Sequence, residues 1–144
     1  MGTIDRGRVI LGGLVAGVVL NIGEYVLNGV LLREKWDAAM TELGFDTYGA
    51  AEIGIMVLLM FVLGLVLVWT YAAVRPRFSP GPRAAVIAGL LGWLLLYAFP
   101  FIYNSLVPVF PSDLMLITTV WGFFELPIAT MVGAFFYAED DTAP

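Results

Sequence analysis

Residues 50–74, AAEIGIMVLLMFVLGLVLVWTYAAV, decide the fold class, because this long apolar run carries Glu52 as its only charged residue. A bilayer core needs about 20 apolar residues in helical form. A helix of about 25 residues extends for roughly 37 Å at 1.5 Å per residue. Lipid offers the backbone no hydrogen-bond partners, so a continuous apolar run of this length predicts a transmembrane helix.

Three further apolar runs of similar length accompany this one. Together they predict an all-α protein, a single domain over residues 1–144 built as a four-transmembrane-helix bundle. Proline and glycine between residues 76 and 82 are expected to break the chain after the second span. Pro108 and Pro111 separate the last two spans, and Ser112 or Asp113 is expected to cap the helix that follows. The other spans are predicted at residues 8–32, 84–107 and 113–138.

The composition supports a membrane protein and excludes several classes of function. Of the 144 residues, 60% are hydrophobic and 13% are charged, whereas a soluble domain is about 45–50% apolar. The net charge of −5 leaves no basic patch for nucleic acid. Cysteine and histidine are both absent, so thiolate and imidazole ligands for metals or haem are absent too. We therefore expect the lipid bilayer as a partner, and neither a cofactor nor nucleic acid.

The loop charges predict the orientation of the chain. Lys and Arg in short loops favour the cytoplasmic side. Five of them lie before the first span or between the second and third spans, and two lie in the first loop, so both termini are predicted to be cytoplasmic in a bacterial inner membrane. The first span continues past Glu24 without a cleavage site, which favours an uncleaved helix over a signal peptide. The residues counted are Arg6, Arg8, Arg75, Arg77 and Arg83 against Arg33 and Lys35.

The first loop is predicted to contain a short amphipathic helix over residues 33–43. Trp36, Met40 and Leu43 fall on one face at helical spacing. We expect this helix to lie in the outer membrane interface with Trp36 as its anchor. The alternative is a helical turn that only connects two spans.

Polar and small residues share one face of the first span. At 100° per residue, Gly13, Gly17, Asn21, Glu24 and Asn28 fall within an arc of about 80°. An ionised carboxylate facing lipid costs several kcal/mol, so we expect this face to point into the bundle or at a neighbouring subunit. The two amides could bond neighbouring helices or contact a ligand.

The fourth span carries a second carboxylate at its middle, Glu125. Pro127 cannot donate a backbone hydrogen bond, so the carbonyl of Phe123 is expected to be free one turn before it. In a bundle without a nearby Lys or His, we expect Glu125 to be largely protonated at neutral pH.

The third span repeats this arrangement without a carboxylate. Pro100 is expected to free the carbonyl of Leu96, and a shared face is predicted for Gly89, Trp93, Pro100 and Asn104. Tyr97 and Tyr103 flank that face with hydroxyl groups.

These features predict a site for a proton, a cation or a small ligand. Intramembrane ionisable residues commonly mark such sites. Four helices are thin walls for a pathway, so a homo-oligomer is expected. The alternative is a non-catalytic subunit of a larger membrane complex that docks through the glycine-rich face of the first span. No nucleophile–base pair is visible, so an enzyme is not expected. The predicted site residues are Glu24, Glu125, Asn21, Asn28 and Asn104.

The stretch GGLVAGVVLNIGEYVLN at residues 12–28 resembles the first helix of an uncharacterised family of short bacterial four-helix integral membrane proteins. Trp36 in the following loop fits that resemblance. The family has no assigned activity, so the resemblance implies the fold and no function.

Overall fold

The computed structural model describes residues 4–137, and this part of the chain consists of five helices without a β-strand. Four of the helices are long and apolar enough to cross a membrane, and the fifth is a short helix in the first loop. This confirms the predicted all-α bundle. The helices are α1 Arg6–Leu31, α2 Arg33–Glu42, α3 Ala50–Phe78, α4 Pro82–Leu106 and α5 Ser112–Phe135. The predicted end of the last span at residue 138 lies outside the described residues.

The four long helices form a bundle in which α1 packs on α3 and α5, and α4 packs on the same two helices. We call the end that holds the α3–α4 turn the terminal end, and the end that holds α2 the loop end. Large apolar side chains remain exposed on every long helix. In α3 only 17% of the most apolar window is buried, so most of this helix lies on the surface of the bundle.

Glycines allow the helices to approach closely near the terminal end. A Cβ placed on Gly64 of α3 would lie 2.3 Å from the carbonyl oxygen of Gly13. A Cβ placed on Gly89 of α4 would lie 2.5 Å from the Cα of Pro127. Such contacts require small residues. The small face of α1, at Gly13 and Gly17, is therefore covered by α3 of the same chain and is not open to another subunit.

Two predicted helix boundaries were wrong. Pro76 does not end the second span, because α3 continues through it to Phe78. The chain instead turns at Ser79 and Gly81, whose φ angles are 66° and 120°. Proline costs little near a helix end, where the carbonyl that it leaves unpaired lies close to the polar loop. Neither Ser112 nor Asp113 caps α5: Pro111 occupies the N-cap position and both residues lie in the first turn.

Two π-helical segments interrupt the long helices near the loop end. The first, Tyr25–Leu31, ends α1, and the second, Leu94–Ala98, lies inside α4. In the second segment the N–H of Phe99 bonds to the carbonyl of Leu94, five residues back. Pro100 lies two residues after this segment and cannot donate a backbone hydrogen bond to the carbonyl of Leu96. The wider turn lets the helix continue past this missing hydrogen bond. Such turns frequently occur at functional sites.

Helix α2 confirms the predicted short helix, and Trp36, its predicted anchor, packs against protein. The Trp36 ring packs edge-on against Phe110, with ring centroids 5.6 Å apart. Ala39 is also buried, beside Leu32 and Leu114. Helix α2 therefore covers the loop end of the bundle. This packing also gives the Trp36 indole N–H a hydrogen-bond partner, which a buried indole usually has.

Candidate functional site

A chain of side-chain hydrogen bonds joins three helices near the loop end. The Tyr97 hydroxyl of α4 donates to Oε1 of Glu24 in α1 over 2.6 Å. The Asn28 amide donates to Oε2 of the same carboxyl. The Trp36 indole N–H of α2 donates to Oδ1 of Asn28 over 2.8 Å. Both Glu24 oxygens therefore accept a hydrogen bond, and this stabilises a negative charge on Glu24.

Glu125 of α5 lies beside this network but outside its hydrogen bonds. Its side chain is only 7% exposed, and neither carboxyl oxygen has a hydrogen-bond partner among residues 4–137. The Trp121 indole, one turn earlier, and the Glu24 carboxyl lie near it. The Trp121 N–H is likewise buried without a partner in the described part of the chain. Since buried polar groups are almost always paired, this site has capacity for a proton or ligand.

Two glycines make room for the side chains of this site. A Cβ on Gly23 would lie 1.9 Å from Oε1 of Glu125, so the carboxyl sits directly on the α1 backbone. A Cβ on Gly122 of α5 would lie 2.8 Å from the ring of Tyr97. The α1–α5 contact thus places Glu125 beside Glu24, and the α4–α5 contact places Tyr97 within reach of both carboxyls.

A cavity of about 310 Å³ opens next to Glu24. One part of its wall is polar, and the rest is aromatic or aliphatic. Its lining contains no Lys or Arg, and in the described part of the chain no three acidic side chains come close enough to hold a metal ion. The lining residues are Glu24, Asn28, Trp36, Leu96, Tyr97, Pro100, Phe110, Met115, Thr118 and Thr119.

The structure brings together three of the five predicted site residues, namely Glu24, Glu125 and Asn28. Asn21 lies elsewhere, on the α1–α3 contact. Its amide donates to the carbonyl of Gly17 over 2.9 Å and to that of Val57 over 3.3 Å. Asn21 therefore joins two helices.

Asn104 is also separate from the site, because it organises the loop after α4. Its Oδ1 accepts hydrogen bonds from the N–H groups of Val109 and Phe110, both over 3.0 Å, and its amide donates to the carbonyl of Phe110 over 2.9 Å. The side chain is buried with these bonds made. It stabilises a turn that includes Phe110, one wall of the cavity.

The predicted common face of α4 is divided by its π-helical segment. Before the segment, Gly89 packs on α5, and the Trp93 indole donates to the carbonyl of Thr119 over 2.8 Å. After it, Pro100 lines the cavity and Asn104 points into the loop. The wider turn changes the angular spacing, so the regular 100° periodicity does not hold across it.

Sequence reasoning missed three important residues of the site: Trp36, Tyr97 as a partner of Glu24, and Gly23. Gly23 could have been found from the sequence, because it immediately precedes the intramembrane Glu24. A glycine inside a helix costs about 1 kcal/mol relative to alanine, so its presence there indicates a close contact. Tyr97 lies within one turn of Pro100, where a helix irregularity is expected.

No family model, curated protein or solved structure matches the chain. The described residues nevertheless define a class. This is a polytopic helical membrane protein with two adjacent carboxyls inside its bundle. Its function has to be argued from that pair.

Proposed function

We propose that this protein binds a cation beside Glu24, exchanges it for a proton on Glu125, and so transports cations across the membrane. The observation that carries the proposal is the pair itself. Two carboxyls lie close together inside the bundle, and one of them, Glu24, lines a cavity whose lining has no positively charged side chain. Intramembrane carboxyls are costly and typically serve ion or proton pathways.

The two carboxyls have different surroundings, and these assign their roles. Glu24 accepts two hydrogen bonds and so holds the negative charge. Glu125 has no comparable hydrogen bond from residues 4–137, although the Trp121 indole lies near it, and we assign the proton to Glu125. Two neighbouring carboxyls in a medium of low dielectric constant do not readily ionise together. Tyr97 is the other titratable group near the pair, and α2 and α3 add none.

Cation binding and proton release are coupled through charge. The empty site carries one negative charge, on Glu24. A monovalent cation in the cavity offsets that charge, so Glu125 can then ionise and release its proton. One positive charge enters and one leaves, so the net charge of the site is unchanged by the exchange. This keeps the electrostatic cost of a charged site in the bilayer constant.

We propose that the protein acts as a homo-oligomer with both termini in the cytoplasm. The first third of α3, residues 50–59, is exposed. A single copy therefore has a thin wall at the loop end of the bundle. A second copy would thicken this wall. Cross-linking in nanodiscs tests the assembly, and a protein that remains monomeric there would contradict this part of the proposal.

Proteoliposomes that contain a pH-sensitive dye test the transport function. Addition of sodium, potassium or tetramethylammonium chloride outside should drive proton efflux for at least one of the three cations. Glu24→Gln and Glu125→Gln should each abolish the cation-dependent efflux. Glu52→Gln is the matched control, because Glu52 is exposed in the first turn of α3, away from the cavity. Wild-type efflux in both site variants would overturn the proposal.

A further inference from the structure

We infer that the cation is a small organic ammonium ion, held between the Glu24 carboxylate and the aromatic wall of the cavity. This inference rests on the proposed function and specifies its substrate class. The cavity places a negative charge, aromatic rings and aliphatic side chains around one volume. The lining contains no side chain that would attract an anion.

The aromatic residues are arranged to present ring surface to a ligand. Trp36 and Phe110 meet with an interplanar angle of 72°, so their rings form a corner of the cavity. The Trp36 N–H is already donated to Asn28, and the Tyr97 hydroxyl is donated to Glu24. Trp36 and Phe110 both line the cavity, so the ring surface outside their mutual contact is available to the ligand. The face of an aromatic ring attracts cations, and indole does so most strongly.

The remaining wall favours an organic ion over a bare metal ion. Leu96, Pro100 and Met115 supply apolar surface that a methyl or ethyl group can contact. Hard metal ions such as Ca²⁺ take six to eight oxygen ligands, and the carboxyl, amide and hydroxyl oxygens here are already joined by hydrogen bonds. The cavity volume of about 310 Å³ is large enough for an ion of choline size.

Choline and its neutral isostere dimethylbutanol, in which carbon replaces the ammonium nitrogen, form a matched pair of probes. Calorimetry on the protein in nanodiscs should detect choline binding, and binding of the isostere should be at least tenfold weaker. Trp36→Leu should weaken choline binding by about tenfold, whereas Trp36→Phe, which keeps a ring, should lose less. Circular dichroism and size-exclusion chromatography confirm that each variant is folded.

The outcomes separate this inference from the proposed function. If choline does not bind but sodium or potassium still drives Glu125-dependent proton efflux, the organic-cation inference is wrong and the transport proposal stands. Equal binding of choline and its isostere would also overturn the inference, because the cavity would then select apolar shape and not charge. If no cation, choline included, drives proton efflux, the proposed function itself fails. Choline binding that is reduced in Trp36→Leu and lost in Glu24→Gln supports the inference, and choline-driven proton efflux that is lost in Glu125→Gln supports the proposed function as well.

Discussion

Gly23→Ala should disable the carboxyl pair without unfolding the protein. The added methyl would lie 1.9 Å from Oε1 of Glu125. An ordinary carbon–oxygen contact is about 3.3 Å, so the oxygen must retreat by about 1.4 Å or α1 and α5 must separate. The clashing atom is the end of a flexible side chain. We therefore expect Glu125 to rotate away from Glu24 while the helices stay in place.

The expected effects on stability and on function differ in size. Overpacking a well-packed site typically costs about 1–3 kcal/mol, and rotation of Glu125 should keep the loss of unfolding free energy near the lower value. Cation-driven proton efflux should fall at least tenfold, because the two carboxyls no longer share one environment. Reversible denaturation in detergent measures the first effect, and the dye assay in proteoliposomes measures the second.

A matched control and a rescue variant test the reasoning behind this prediction. Gly54→Ala places a methyl on a spanning helix where nothing lies within 4 Å, so it should leave efflux unchanged and stability equal or higher. Glu125→Asp removes one methylene, so the Gly23→Ala/Glu125→Asp double variant should recover part of the efflux lost in Gly23→Ala. Full wild-type efflux in Gly23→Ala would refute the close contact between Glu125 and α1.

Three further predictions concern parts of the molecule outside the carboxyl pair. Gly89→Ala brings a methyl within 2.5 Å of the Pro127 backbone, so it should lower the unfolding free energy by about 1–3 kcal/mol. Denaturation in detergent measures this loss, and unchanged stability would contradict the α4–α5 contact. Asn104→Ala removes three hydrogen bonds to the partly buried backbone of residues 109 and 110, so it should cost about 1–3 kcal/mol. The Glu125-dependent proton exchange should persist, and loss of exchange in a folded variant would place Asn104 in the site. Lys35→Ala removes an exposed ion pair with Asp113 and should change stability by less than about 1 kcal/mol; a larger loss would mean that this pair holds α2 in place.

The spans and the short loop helix could be predicted from the sequence because they depend on properties that the sequence displays directly. Apolar length determines whether a segment can cross a bilayer, and the structure places the second span at Ala50–Phe78 against a predicted 50–74. The short helix Arg33–Glu42 follows from its helical spacing of apolar residues. Gly13 and Gly17 were correctly assigned to a close helix contact, now seen with α3.

The residues that form the site could be predicted only in part, because their grouping depends on contacts between helices. The cost of a carboxylate in lipid predicted that Glu24 faces protein, and it identified Glu125 as a candidate site residue. The helical periodicity of α1 grouped Asn21 with Glu24, although the Asn21 amide reaches Val57 on α3. Angular proximity on one helix does not specify which neighbour each residue meets. Asn104 was misplaced because the π-helical turn before Pro100 alters the register of α4, and regular spacing gives no sign of it.

The most direct test of the account counts the protons released when a cation binds. Unbuffered purified protein at neutral pH receives a saturating amount of the cation that drives efflux, and a pH-sensitive dye reports the protons while calorimetry reports the binding. The account predicts about one proton released per cation bound, and none from Glu125→Gln, in which the cation still binds at Glu24. Cation binding without proton release in the wild-type protein, or equal release from Glu125→Gln, would contradict the exchange at this carboxyl pair.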